Sequence, residues 1–205
     1  VALARAGHRV VIVCCDLRRP RLHDFFFFGL TSTGFTSVLL GKAPLASALQ
    51  AVPGVDRLAL LASGPLPPNP SELLSSHLAG ETLGALRGEG RIVLVDSPPV
   101  LPVTDSLVLS RWVDATLVVC SAGDSTRKEA ARSVELLRQV EAPVVGTILN
   151  GVRGEGGYGY GYGYGYGYGY YQADREEPVR SNGAGGNGAA GPLRKLARRR
   201  GRRKG

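Results

Sequence analysis

Val10 to Pro20 reads VVIVCCDLRRP. Four β-branched residues run straight into a Cys-Cys-Asp turn and a doubled arginine, the pattern of a buried strand that ends where polar chemistry begins. In an open α/β sheet, ligands bind at the carboxyl ends of parallel strands, so Asp16 followed by Arg18 and Arg19 suggests a phosphate or metal site. Arg91 to Val100, RIVLVDSPPV, repeats the design with Asp96 at the strand end. Two strands that each bring one carboxylate to the same sheet edge suit Mg²⁺, a hard cation that takes oxygen ligands and keeps much of its water.

The rest of the chain fits around these two strands. Residues 1 to 6 read as the end of a helix stopped by Gly7. Further strands are expected at about Arg57 to Leu61, Ala115 to Cys120 and Pro143 to Leu149. Short helices are expected at Phe35 to Leu40 and Leu45 to Ala51, and another over Pro102 to Ser110. Asn69, Pro70 and Glu72 mark the start of a longer helix running to about Arg87. Thr126 and Glu129 form a capping box for a helix whose apolar face is Ala130, Val134, Leu137 and Val140. Strands alternating with helices imply an α/β fold, a parallel sheet with helices on both faces. The run Phe25 to Phe28 reads either as a loop packed on the sheet or as an exposed apolar patch facing a neighbouring subunit.

Charge and aromatic content are concentrated in the tail. All eight tyrosines lie between Tyr158 and Tyr171, and eight basic residues with no acid lie between Arg194 and Lys204. That last run accounts for the whole net charge of +8, so the basic balance describes a tail and not a fold. The Gly-Tyr repeat and the Gly, Asn, Ala and Arg stretch after it hold too little large apolar surface to offset ordering entropy, so disorder is expected there. Cys14, Cys15 and Cys120 have no metal or disulfide spacing, which favours a reducing compartment. The apolar runs are too short and interrupted to span a bilayer. The sequence has no methionine and opens inside a helical pattern, which suggests that the start of a longer chain is missing.

Together the motifs resemble a known family. Asp-Leu-Arg-Arg-Pro at 16–20, SGPLPPNPSELL at 63–74, DSPPVLPVTD at 96–105, LNGV at 149–152 and the tyrosine cluster look like the bacterial tyrosine kinases. Those are cytoplasmic P-loop domains of the transmembrane proteins that control capsular and exopolysaccharide synthesis. The resemblance covers about residues 1 to 171. It implies a P-loop kinase-like domain over 1–153 lacking its N-terminal strand and P-loop, a phosphoacceptor tail over 154–171, and a disordered basic tail over 172–205. It also implies ATP and Mg²⁺ as cofactors, with Asp16 near the metal and phosphates and Asp96 as the acid that holds Mg²⁺ through water. Asn150 would contact the base, and Arg18 is a candidate for phosphate contact, with an ordinary salt bridge as the alternative. Tyr158, Tyr160, Tyr162, Tyr164, Tyr166, Tyr168, Tyr170 and Tyr171 would accept phosphate from a neighbouring subunit in a homo-oligomeric ring. The implied setting is the cytoplasmic face of the bacterial inner membrane, beside a transmembrane polysaccharide co-polymerase or activator segment. A partitioning ATPase is a further relative to weigh, but those lack a tyrosine tail.

Two departures from the family bear on activity. No G-x-x-x-x-G-K-[ST] loop occurs in the 205 residues, although its backbone N–H groups and lysine grip the triphosphate. Truncation explains this better than loss, because residues 1 to 6 fit the end of the helix that follows the loop. The chain by itself is therefore expected to bind ATP poorly. The family also has an acid where this chain has Cys14, and a neutral thiol cannot orient or accept a proton as a carboxylate does. Cys14 and Cys15 also read as buried packing residues. The expected function is an ATP-dependent protein-tyrosine autokinase, and the alternative is a non-catalytic pseudokinase scaffold. Arg194 to Lys204 would bind an anionic membrane surface and be released as phosphotyrosines accumulate. Nucleic acid competes for such a run but is not the expected partner.

Overall fold

A computed structural model describes residues 1–26 and 32–152. Strands Val10–Cys14 (β1), Leu49–Ala51 (β2), Leu58–Leu61 (β3) and Ile92–Asp96 (β4) form one sheet in the order β2-β3-β1-β4. β1 pairs in parallel on both edges, with Val13 opposite Leu61 on one side and Val95 on the other. Successive side chains of a strand point to opposite faces. Val11 and Val13 accordingly pack with Phe35, Leu74, Leu83 and Leu109, while Val10 packs with Ala4, Leu58 and Leu60 in a second cluster. A strand buried on both faces has no solvent side, which is why its sequence is an unbroken apolar run rather than an alternation.

The helices are Ala2–Arg5 (α1), Leu22–Phe25 (α2), Phe35–Leu39 (α3), Leu45–Ala48 (α4), Pro70–Ser75 (α5), His77–Arg87 (α6), Asp105–Leu109 (α7) and Arg127–Gln139 (α8). Thr116–Ser121 (β5) and Val144–Asn150 (β6) pair in parallel as a separate two-stranded sheet. The expected α/β class holds, with its parallel pairing divided between two sheets. At α8 the capping box forms: Glu129 N–H donates to Thr126 Oγ1 and Thr126 N–H donates to Glu129 Oε2. Of the apolar face expected for this helix, Leu137 is buried and Val140 is exposed.

Three local expectations need correcting. The helix expected over Leu45 to Ala51 ends at Ala48, and Leu49–Ala51 extends antiparallel to β3 with Leu49 opposite Leu61. Tertiary pairing at the sheet edge overrides the weak local helical preference there. The helix expected from Pro70 to Arg87 breaks at Ser76, whose backbone is extended (ψ 148°) and whose side chain accepts the Ala79 N–H as a new N-cap. Asn69 does not cap with its side-chain oxygen; its amide Nδ2 donates to Glu72 at 2.6 Å. The helix expected from Pro102 begins at Asp105 and tightens into a 3₁₀ turn over Ser110–Trp112. Trp112 packs against the larger core cluster and donates from Nε1 to the Leu74 carbonyl.

In the phenylalanine run, Phe26 packs beside the Val10 cluster and Phe25 is exposed. Phe27 and Phe28 lie outside the described residues, as do all eight tyrosines and the basic run Arg194 to Lys204.

Gly34 is needed for a close backbone approach. Phe35 N–H donates to Ala62 O and Thr36 N–H to Ser63 O, which draws this segment against the end of β3. A Cβ on Gly34 would stand 2.3 Å from the Gly64 nitrogen and 2.4 Å from the Ala62 oxygen, both backbone atoms. Gly34→Ala should therefore cost about 1–3 kcal/mol in a urea titration. Gly84→Ala, on α6 with nothing within 4 Å of the new Cβ, should instead gain up to about 1 kcal/mol from helix propensity.

Candidate functional site

The register of β1 and β4 brings the two acidic strand ends together. Cys14 lies opposite Asp96, and Cys15 N–H donates to the Asp96 carbonyl at 2.8 Å, so both strands finish on one level at one end of the sheet. Asp16 follows two residues later and is 9% exposed. Its Oδ1 accepts the backbone N–H groups of Arg18 (3.1 Å) and Arg19 (2.9 Å), which turns the chain away from the sheet and fixes the carboxylate.

Asp96 feels this arrangement. Burial of its carboxyl first, and then the Asp16 charge, raise its pKa from 3.8 to about 6 against the opposing pull of a Cys14 hydrogen bond. Asp96 is exposed by surface area, so water screens part of this effect. Two carboxylates close enough to repel form an oxygen donor set that a divalent cation relieves, and Mg²⁺ is commonly held by one or two carboxylates plus water. Among the described residues no group of three or more His, Cys, Asp or Glu is placed to hold a metal ion.

Cys14 is fully buried, and its Sγ lies 3.9 Å from Asp96 Oδ2 and 3.9 Å from the Asp16 carbonyl oxygen. Burial first, then the charges of Asp96 and Asp16, push its thiol up to about 12, against the pull of backbone hydrogen bonds at Leu22 and Asp16. Cys15 is raised as well, chiefly by burial. Both are therefore neutral thiols near pH 7, and Cys14 acts as a hydrogen-bond donor to Asp96 rather than as a base or a metal ligand.

Arg18 takes the salt-bridge alternative. Its Nε donates to Asp105 Oδ2 at 2.8 Å, and its Nη2 donates to Asp105 Oδ1 and Ser71 Oγ, each at 3.0 Å. Ser71 Oγ donates to Asp105 Oδ1 as well, at 2.5 Å. This network ties the turn after β1 to the starts of α5 and α7. Asp105, with 0% side-chain exposure, and Ser71 are the residues that sequence reasoning did not single out. Both stood inside quoted motifs, but nothing in linear spacing shows that three distant segments meet. Asn150 closes β6 in the other sheet, exposed, with its Oδ1 accepting the Gly151 N–H.

No family model matches the chain. Over 151 residues it is 38% identical to the tyrosine-protein kinase YwqD of Bacillus subtilis (strain 168), an alignment covering 74% of this chain and 63% of that protein. The kinase domain of the Escherichia coli tyrosine kinase ETK matches with a TM-score of 0.70 at 34% identity, over 79% of this chain and 64% of that one. The VpsO kinase domain matches with a TM-score of 0.69 at 31% identity, over 74% of each chain. The fold is thus P-loop NTPase-like. The chain spans just under two thirds of the length of YwqD.

The two aspartates should move stability in opposite directions with pH. The Asp105 carboxyl is raised by burial, but its hydrogen bonds from Arg18 and Ser71 and the Arg18 charge outweigh this and leave it below the usual value. Its contribution is present above about pH 4 and is lost as pH falls further. Asp105→Asn should therefore cost about 2–3 kcal/mol at pH 7, with the deficit shrinking in acid. Asp96, raised in the folded state, destabilises the metal-free chain when ionised. Asp96→Asn should stabilise at pH 8, with the gain fading as pH falls through about 6 and gone below about 4. Urea midpoints across pH in metal-free buffer check both signs.

Proposed function

The chain belongs to the bacterial tyrosine-protein kinases, and on that footing we propose that it is part of an ATP-dependent protein-tyrosine autokinase that controls capsular or exopolysaccharide synthesis and export. The observation that carries this reading is the convergence of Asp16 and Asp96 at the ends of adjacent strands, close enough for one charge to shift the other. Asp16 and Asp96 would hold Mg²⁺ together with water. The ion, when bound, supplies positive charge against phosphoryl oxygens. Asp16, held by the Arg18 and Arg19 amides, would orient or accept the proton of an attacking tyrosine hydroxyl. The Arg18–Asp105–Ser71 network keeps that turn in place.

The acceptors in this reading are Tyr158, Tyr160, Tyr162, Tyr164, Tyr166, Tyr168, Tyr170 and Tyr171 of a neighbouring subunit in a ring. A glycine-rich segment of about 20 residues has a mean span of about 25 Å, enough to enter an adjacent site. Asn150 would meet the base. The assembly would sit at the cytoplasmic face of the inner membrane beside a polysaccharide co-polymerase segment, with Arg194 to Lys204 on anionic lipid. The 205 residues alone are expected to be inactive, since they hold no G-x-x-x-x-G-K-[ST] loop.

One observation favours a second reading, a non-catalytic scaffold. Cys14 occupies the position where the family carries an acid, and its thiol stays neutral. The full-length gene product, incubated with Mg²⁺ and ATP and mapped by mass spectrometry, separates the two. A kinase gains phosphate on the tail tyrosines, loses about 10²–10⁴-fold in rate on Asp16→Asn, and speeds up on Cys14→Asp. A scaffold gains no phosphate in either the natural or the Cys14→Asp form.

A further inference from the structure

Arginines stand at the starts of three neighbouring strands. Val10 N–H donates to Arg57 O at 2.8 Å and Ile92 N–H to Arg9 O at 2.9 Å, which extends the β3-β1-β4 ladder by one step at its amino end. The order across the sheet is therefore Arg57, Arg9, Arg91. Adjacent strands lie about 4.8 Å apart, so the outer two arginines are rooted about 9.6 Å from each other. All three line one open hollow of about 400 Å³. The five residues of β1 put about 17 Å between this row and the Asp16–Asp96 end, so the hollow is separate from that site.

Like charges rooted side by side on neighbouring strands repel, so stability alone would not select such a row. Among the described residues, the wall of the hollow carries three arginines and one acid, Asp56. Arg9 and Arg57 are exposed and Arg91 is half-buried. Arg57 closes the turn between β2 and β3 with a φ of +65°, a left-handed conformation that suits glycine and asparagine better than a long side chain. Its Nη1 donates to Gly7 O at 2.8 Å, which draws the guanidinium across the amino end of the sheet toward β1. A guanidinium carries five N–H donors, so one bond of this kind orients the group without exhausting it. The tie to Gly7 accounts for one arginine and not for a row of three.

Guanidinium forks match the oxygens of phosphate, and a row of this length suits two such groups rather than one. The chain carries a segment of that pitch. Tyrosine recurs at every second position from Tyr158 to Tyr170, and alternate residues of an extended peptide lie about 6.8 Å apart. Each phosphate on a tyrosine adds about −1.5 to −2 charges. A concave wall that includes Asp56 fits a narrow phosphorylated peptide better than a flat anionic lipid surface.

We infer that Arg57, Arg9 and Arg91 form a binding site for paired phosphotyrosines, and that its occupant is the Gly-Tyr repeat of a phosphorylated copy of this chain. The site stands on sheet register and charge; the occupant rests on the kinase reading. A phosphorylated tail bound there is held about one strand length, roughly 17 Å, from the acidic end of the sheet, so product is kept away from the proposed catalytic centre.

Calorimetric titration of the dephosphorylated full-length gene product tests this. The ligand is a synthetic peptide of residues 156–168 phosphorylated at Tyr160 and Tyr162, set beside inorganic phosphate and vesicles rich in anionic lipid. The peptide should bind at least about tenfold more tightly than inorganic phosphate, because its two phosphates act together. Arg57→Asn, Arg9→Gln and Arg91→Gln should each weaken it about fivefold or more. Arg127→Gln, at the exposed start of α8, should leave it unchanged. Asparagine suits the left-handed backbone at 57, so the urea midpoint of that variant should hold while binding falls. Peptide binding that the row variants leave intact overturns the inference, since the basic run Arg194 to Lys204 is then the receptor. An affinity within tenfold of inorganic phosphate overturns it too, as does vesicle binding that needs the row when the peptide does not bind. The phosphates are supplied synthetically, so failure here leaves the kinase reading standing. A tail that gains no phosphate in the kinase assay removes that reading and leaves the arginine site.

Discussion

The parallel pairing of β1 with both β3 and β4 is the constraint on which the rest of the molecule depends. It buries Val10, Val11, Val13 and Cys14 to 2% exposure or less and sets Cys14 opposite Asp96. A one-residue slip in such a ladder would turn every side chain of the strand to the other face, so the core on both sides holds the register. With the register held, the turn that follows β1 has one place to be, and Asp16 reaches the same sheet end as Asp96. The placement of the carboxylates is a by-product of core packing: buried apolar side chains decide where they stand.

Around that end, charges are handled in two contrasting ways. Asp105 is buried but satisfied, with Arg18 and Ser71 donating to it, and it stabilises the ionised state. Asp96 is held near a second acid and takes a hydrogen bond from the neutral Cys14 thiol, and it resists ionisation. The first is the signature of a structural network, and the second is what the proposed cation site would relieve. The pairing of Arg18 with Asp105 also explains how an arginine beside the acids serves the fold. It neutralises a buried carboxylate that links three chain segments, which a solvated side chain would not do.

Much of this was legible in the residues. The continuous β-branched run at Val10 to Val13, the acid closing each of two strands, and the Thr126–Glu129 box are local signals with local causes, and the structure shows them as read. The misreadings have two origins, a distant partner in most cases and a competing local cap in one. Leu49 to Ala51 extends because β3 offers it an edge. The helix after Pro70 breaks at Ser76 because that hydroxyl can start a second one, a choice that propensity alone does not rank. The contact of Asp105 and Ser71 with Arg18 spans 87 and 53 residues of sequence, beyond the reach of any spacing argument. The division into two sheets was invisible as well, because strand order is a property of the whole chain and not of any segment in it.

The central claim is that Asp16 and Asp96 form one cation site. Mg²⁺ titration of the nucleotide-loaded gene product by calorimetry, with Asp16→Asn, Asp96→Asn and the double variant, tests it most directly. A shared site predicts that each single change weakens Mg²⁺ by about tenfold or more and that the double change adds less than the product of the two, since residues acting on one ion are coupled. Unchanged Mg²⁺ affinity in either single variant would contradict it.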